Sequence, residues 1–412
     1  MPRVLFPAVV ITLGLLLYVP ASAQLVPGQY EDEAPLRTWN IFGIPSAPAV
    51  GLGGFRFALA ADASASLTNP ALLVSLPGYS VTLSGCASAT SLFEYSLVNT
   101  GVVSTSGNLT ARSYGVEFGG VSFRLGRWTF AAATGIVEDY GRPGISVEDS
   151  SQTYALELSQ SGYLRVFHAA VARPITGRIS AGLGLNYVSG RLSRSVLEEY
   201  TYPTGLITIS DDISEKFRGF FLNGGIAWDL TGRLTAALVF RSPYVKSAEA
   251  RSALRYQAPA GDTDIQTKAS ARNRYRQPWI FGAGGCYRLS DGWALNADLA
   301  YFGWSRYRVT FFDEPLDRPF RDVLKAGAGV EYLAVARIFG RSARVPLRLG
   351  ITYDPQPMSE PHSLYLSIGL GTGFHLPSLA VDLSGSFGRE KGSGDSLKAG
   401  QAVLTFTYIS DR

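Results

Sequence analysis

Arg272, Arg274 and Arg276 stand at alternate positions in the stretch Ala271 to Pro278, a spacing that puts three guanidinium groups on one face of an extended chain. Each is planar, permanently charged and able to donate paired hydrogen bonds, which is the chemistry of carboxylate and phosphate recognition. Arg241 and Arg348 are further cations of the same kind, with Asp298, Glu331 and Asp354 as available counter-ions. Catalytic patterns are weak by comparison. The 3 histidines, His168, His362 and His375, show no HxxxH or HxxE spacing, and no G-x-S-x-G precedes a helix-like segment. Cys86 and Cys286 are 200 positions apart and do not make a metal set. The expected chemistry is binding, with no enzyme activity, cofactor or metal.

The elements that must position these cations read as strands. From Gly78 onward the apolar residues recur with period two: Leu183, Leu185 and Tyr187 against Gly182, Gly184 and Asn186; Phe220, Leu222, Ile226 and Trp228 against Asn223, Gly225 and Asp229; Leu347, Leu349, Ile351 and Tyr353 against Arg348 and Asp354. The apolar faces often end in an aromatic, as interfacial girdles do, and the glycine-rich opposite faces suit a wet interior. Short connections near Gly126, Pro174–Gly177, Thr231–Gly232, Ser290–Gly292 and His375–Ser378 alternate with long ones, including Gly190–Lys216 and Ser242–Gln277. That asymmetry predicts an all-β, transmembrane antiparallel β-barrel of about 14 strands with an N-terminal lumenal hatch. Cys86 then falls on the first strand and Cys286 on about the eighth, too far apart to bridge. By parity with Gly282 and Gly284, Arg272, Arg274 and Arg276 face the lumen, with Tyr275 and Trp279 outward; the other reading makes them rim cations for lipopolysaccharide phosphates.

The predicted hatch is Gly51 to Leu73, rich in small residues that let a backbone fill a confined space. Gly51, Gly53 and Gly54 give close approach, Asp62 and Ser64 polar contacts, and Asn69-Pro70-Ala71 a turn. Ahead of it, Arg3, an apolar run and Ala21-Ser22-Ala23 fit a cleaved signal peptide over 1–23. The organisation is therefore 1–23 signal peptide, 24–77 proline-rich arm and hatch, and 78–412 barrel. With 17% charged residues, 12% aromatics, 45 glycines and a net charge of +4, the composition suits a barrel and argues against a nucleic-acid partner.

Ala61-Asp62-Ala63-Ser64 and Asn69-Pro70-Ala71 resemble the hatch signature of the FadL-type outer-membrane transporters. Gly184 to Gly190, Ala236 to Ser242, Trp293 to Trp304 and Leu347 to Pro355 are similar to that family's strand phrases. The resemblance implies passive transport of long-chain fatty acids or other hydrophobic small molecules through a hatch-plugged barrel in the outer membrane of a Gram-negative-type bacterium, among lipid and lipopolysaccharide. It also implies sideways exit at a kinked third strand, here Trp128 to Val137 with Gly135 its most bendable residue. Related barrels with the same signature are similar to secretion-system components that bind or shuttle exported proteins, which is the alternative reading. The proline-rich, acidic arm and the Ile409-Ser410-Asp411-Arg412 end depart from the family pattern.

Overall fold

The structure is a computed structural model that describes residues 46–54, 56–92, 109–141, 145–148, 153–203, 205–258, 264–316, 319–338, 341–360, 362–392 and 398–410. The expected signal peptide and most of the proline-rich arm lie outside these residues. Fourteen strands form one antiparallel ring. They are β1 (Tyr79–Leu92), β2 (Leu109–Leu125), β3 (Trp128–Asp139, with an outer piece Ile145–Glu148), β4 (Tyr154–Pro174), β5 (Ile179–Tyr202), β6 (Gly205–Asp229) and β7 (Leu234–Arg241 with Tyr244–Gln257). They continue through β8 (Asp264–Gln277 with Ile280–Arg288), β9 (Trp293–Phe302 with Arg308–Phe311), β10 (Glu314–Leu316 with Val323–Ile338), β11 (Arg341–Pro355), β12 (Leu364–His375), β13 (Leu379–Lys391) and β14 (Lys398–Ser410). The ring closes where β1 pairs with β14, from Tyr79–Ser410 to Ser91–Lys398. Closure removes every sheet edge, the condition for a sheet to sit in lipid.

Side chains sort by parity as a membrane barrel requires. Leu183, Leu222, Leu238, Phe281, Leu299, Ile351 and Leu370 are exposed on the outer wall. In water such a band would be a liability; against acyl chains it is the favourable surface. Aromatics bound it on both sides, with Trp128, Trp228 and Trp293 exposed beside the short turns and Phe220, Phe281 and Tyr353 exposed toward the other end. Cys86 on β1 and Cys286 on β8 are buried and not bridged to one another, and Cys86 Sγ donates to Gln401 Oε1 at 3.7 Å.

Two expectations need correcting. The stretches Gly190–Lys216 and Ser242–Gln277 are not loops: β5 pairs with β6 up to Tyr202–Gly205, and β7 with β8 up to Gln257–Asp264. Beyond the lipid the alternation inverts: serine and charge face outward, while Leu192, Ile213, Phe217, Ala248, Ala250 and Tyr275 face inward, interrupted by buried Glu215, Lys246 and Asn273, so the apolar-outside pattern is lost while the ladder continues. The glycine faces do not line a wet interior either. A Cβ on Gly350 would lie 2.2 Å from the Gly53 nitrogen, one on Gly369 2.1 Å from the Val50 oxygen, and one on Gly182 2.5 Å from the Pro70 carbonyl carbon. Those glycines leave room for the backbone of the N-terminal segment.

Candidate functional site

The N-terminal segment comprises α1 (Ala47–Gly51), α2 (Ala65–Thr68) and a 3-10 turn (Pro70–Ser75). It has too few residues in regular structure to satisfy its own backbone, so the wall supplies partners. Ala47 N donates to Thr405 Oγ1 at 2.9 Å and Ala63 N to Thr82 Oγ1 at 3.2 Å, while Gly53 O accepts from Thr352 Oγ1 at 2.6 Å. Phe57 N donates to Asp298 Oδ1 at 3.1 Å, and Asn223 Nδ2 donates to the Ser66 and Leu67 carbonyls at 3.1 Å each. These contacts come from β14, β1, β11, β9 and β6, so the segment is held from around the ring.

Each singled-out residue of the segment has a local reason. Gly53 and Gly54 take φ of 89° and 88°, a region that glycine enters without strain. Gly51 lies where a Cβ would be 2.9 Å from Ser384 Oγ. Asp62 caps Ser64 N at 2.8 Å and faces Arg56 at 3.9 Å. Asn69 accepts from Ala71 N at 3.1 Å across Pro70 and donates to Phe57 O at 2.7 Å, so one side chain closes the turn and ties it to the irregular stretch before it.

Phe57, Ala58, Ala63 and Leu67 of the segment pack into a buried cluster that extends through Phe118, Leu164, Val188, Phe217, Phe221 and Tyr275 on the wall. This packs aromatic and apolar side chains into the barrel interior on the side of the segment facing the long hairpins. His168, Asn186 and Asn223 form a polar chain along its floor, with His168 Nδ1 2.8 Å from Asn186 Oδ1 and Asn186 Nδ2 donating to Asn223 Oδ1 at 2.9 Å.

Higher in the lumen, Lys246 on β7 is 0% exposed. Its Nζ lies 3.3 Å from Glu138 Oε2 and donates to Tyr140 OH at 2.9 Å. It also stands 4.7, 5.2 and 5.3 Å from the ring centroids of Phe217, Tyr275 and Tyr140. A desolvated ammonium surrounded by π faces is well stabilised, and it draws Glu138 of β3 to β7. Tyr275 OH donates to Glu215 Oε1 at 2.6 Å, and Asn273 donates to the same oxygen at 2.5 Å.

The arginines of Ala271–Pro278 fall on the other side of the wall. Arg272, Arg274 and Arg276 are exposed, whereas Asn273, Tyr275 and Gln277 are buried. Parity with Gly282 fails because β8 breaks at Pro278–Trp279, where Gln277 and Pro278 are both buried and the alternation slips by one. Trp279 does sit with the outer aromatics Phe281 and Tyr301, at 4.7 and 5.1 Å. Arg241 faces inward, 5.0 Å over the Phe221 ring. Arg348 is buried below α1 and its fork is taken by Glu331 Oε2 and Asp382 Oδ1, both at 2.6 Å. Asp354 pairs with Lys325 at 2.5 Å. Lys246 is the cation that parity missed; its sequence signal was a charge in phase with the buried Ala248 and Ala250.

The β2–β3 ladder runs from Leu125–Trp128 to Phe118–Gly135. Next to its end, Glu117 is passed over in the β1–β2 register and Val137 in the β3–β4 register. A bulge on each strand at the same level twists them apart. Phe118, 0% exposed, points inward at that level.

Residues 47–368 match the model of the outer membrane protein transport proteins, OMPP1/FadL/TodX. A Pseudomonas aeruginosa FadL homologue is similar in structure, with a TM-score of 0.64 at 14% identity over 89% of this chain and 99% of that one. So are the Ralstonia pickettii toluene transporter TbuX (TM-score 0.62, 15% identity, 90% and 99% covered) and the Pseudomonas putida toluene transporter TodX (0.62, 15%, 90% and 98%). No curated protein sequence matches the chain.

Proposed function

The chain belongs to the OMPP1/FadL/TodX family of outer membrane transport proteins, and from that premise we propose that it passes long-chain fatty acids or similar hydrophobic molecules across the outer membrane by passive diffusion. The observation that supports this reading is the continuity of the apolar lumen. The cluster containing Phe217, Phe221 and Tyr275 also contains Phe57 of the N-terminal segment and Phe118 at the end of the β2–β3 ladder. A molecule entering from the hairpin side would pass mainly apolar side chains, interrupted by Lys246, Glu138 and Glu215, and the apolar part favours partition from water. Residues 47–76 act as the hatch that keeps water and ions from following. The bulged level of Gly135 is the sideways exit, and residues 1–23 are removed on export.

Lys246 gives the lumen a preference for amphipathic carboxylates, since an incoming carboxylate can replace Glu138 on its ammonium. The test is uptake of a labelled long-chain fatty acid, and of a neutral monoaromatic, into proteoliposomes of the intact protein. Transport of either above protein-free liposomes supports the reading. Transport of neither, with exported proteins co-purifying instead, would favour the protein-shuttling alternative.

A further inference from the structure

We propose that the outer face of β4–β8, just above the apolar band, binds the phosphorylated sugar head group of an outer-leaflet glycolipid. This needs only the membrane placement of the barrel and is independent of what the lumen carries. The level of the membrane edge can be read on β6. Trp228 and Phe220, both exposed, are eight positions apart, about 26 Å along a strand, which at a barrel-strand tilt of about 35–45° is about 20 Å of height, most of the roughly 25 Å of an outer-membrane apolar band. Phe220 is in register with Tyr187, and Tyr187 with Phe167, their centroids 4.7 and 6.3 Å apart. That aromatic row is the upper edge.

The outward residues change character at the next step. One row places Arg165, Ser189, Arg218, Ser247 and Arg274 side by side across β4–β8. The row above it places Tyr163, Arg191, Lys216, Glu249 and Arg272 in the same way. Six cations thus share two rows with one carboxylate, Glu249, which Arg218 engages. Arg165 and Arg191 stand 6.0 and 5.7 Å from the centroid of Tyr163, an aromatic two rows above that edge. A further step up brings Ser161, Ser193, Ser214 and Ser270 into one row with Arg251, on a concave face of about 550 Å³.

Like charges directly opposite one another destabilise a sheet, and Arg191 faces Lys216 just as Arg276 faces Arg308. An external anion relieves that repulsion. The vertical order of aromatics, cations and hydroxyls matches an amphiphile whose acyl chains, phosphates and sugars follow in the same order. A simple phospholipid would leave the serine row without a partner, whereas a phosphorylated glycolipid meets all three layers.

The full-length protein in nanodiscs of zwitterionic lipid, titrated with diphosphorylated lipid A and read by native mass spectrometry, tests the assignment. The phosphorylated form is expected to bind at least about tenfold more tightly than the same glycolipid stripped of phosphate. The triple variant Arg191→Gln, Lys216→Gln, Arg272→Gln is expected to lose a similar factor, and Arg389→Gln, exposed on β13, to lose none. Equal binding of the two glycolipids, or full affinity in the triple variant, overturns the proposal. The first comparison uses the unaltered protein and stands even where the variant does not assemble.

Discussion

At the scale of single residues, two buried polar groups separate the proposed recognition of a carboxylate from what holds the N-terminal segment in place. Lys246 touches Glu138 and the rings of Tyr140, Phe217 and Tyr275. Lys246→Gln removes the charge and keeps a donor, so fatty-acid uptake is expected to fall about tenfold, the worth of one charge-assisted hydrogen bond, with uptake of a neutral monoaromatic unchanged. Equal loss for both would point to a structural role. Asn223 instead joins β6 to the Ser66 and Leu67 carbonyls. Asn223→Ala leaves both carbonyls without that donor, at a cost of about 1–3 kcal/mol. Faster hydrogen exchange at the amides of Ser66 to Asn69, with the barrel strands still protected, is the expected readout. Neither side chain announced itself in the sequence. A lysine in buried phase is conspicuous only once the phase of β7 is known, and an asparagine on a lumenal face has no periodic signal.

At the scale of elements, alternation was legible wherever lipid lay on one side and protein on the other, as on β5, β6, β9 and β11. It failed where that contrast stopped. The upper halves of β5–β8 read as loops because their outer faces turn to serine and charge and buried Glu215, Lys246 and Asn273 break the apolar run of the inner faces, and the arginines of β8 fall on the outer face because Pro278 shifts the phase. The wall glycines were legible as small residues, but their cause, the backbone of the N-terminal segment lying on them, is a long-range fact that no local pattern carries. The third strand is different, because its break is local. Gly135 ends the ladder to β2 and stands two residues before the passed-over Val137. Gly135→Val stiffens the strand at the level of the proposed sideways exit. Proteoliposome uptake is expected to fall several-fold with the heat-modifiable folded band on gels unchanged; unaltered uptake would remove Gly135 from the exit.

At the scale of the whole molecule, a closed ring with a greasy outer wall encloses a segment bonded to strands on several sides. The sequence made both parts legible, the ring through alternation and the segment through its glycine and alanine content. Its seat could not be read, because the partners Thr82, Asn223, Asp298, Thr352 and Thr405 are scattered over the length of the chain. If that segment is what separates a path for hydrophobic molecules from an aqueous pore, removing it must change what the barrel conducts. The most direct measurement is single-channel conductance in planar bilayers of the intact protein and of a folded barrel lacking residues 47–76. The intact protein is expected to show little ionic current and the deletion a large, persistent open level. The same conductance in both would contradict a plugging role for the segment.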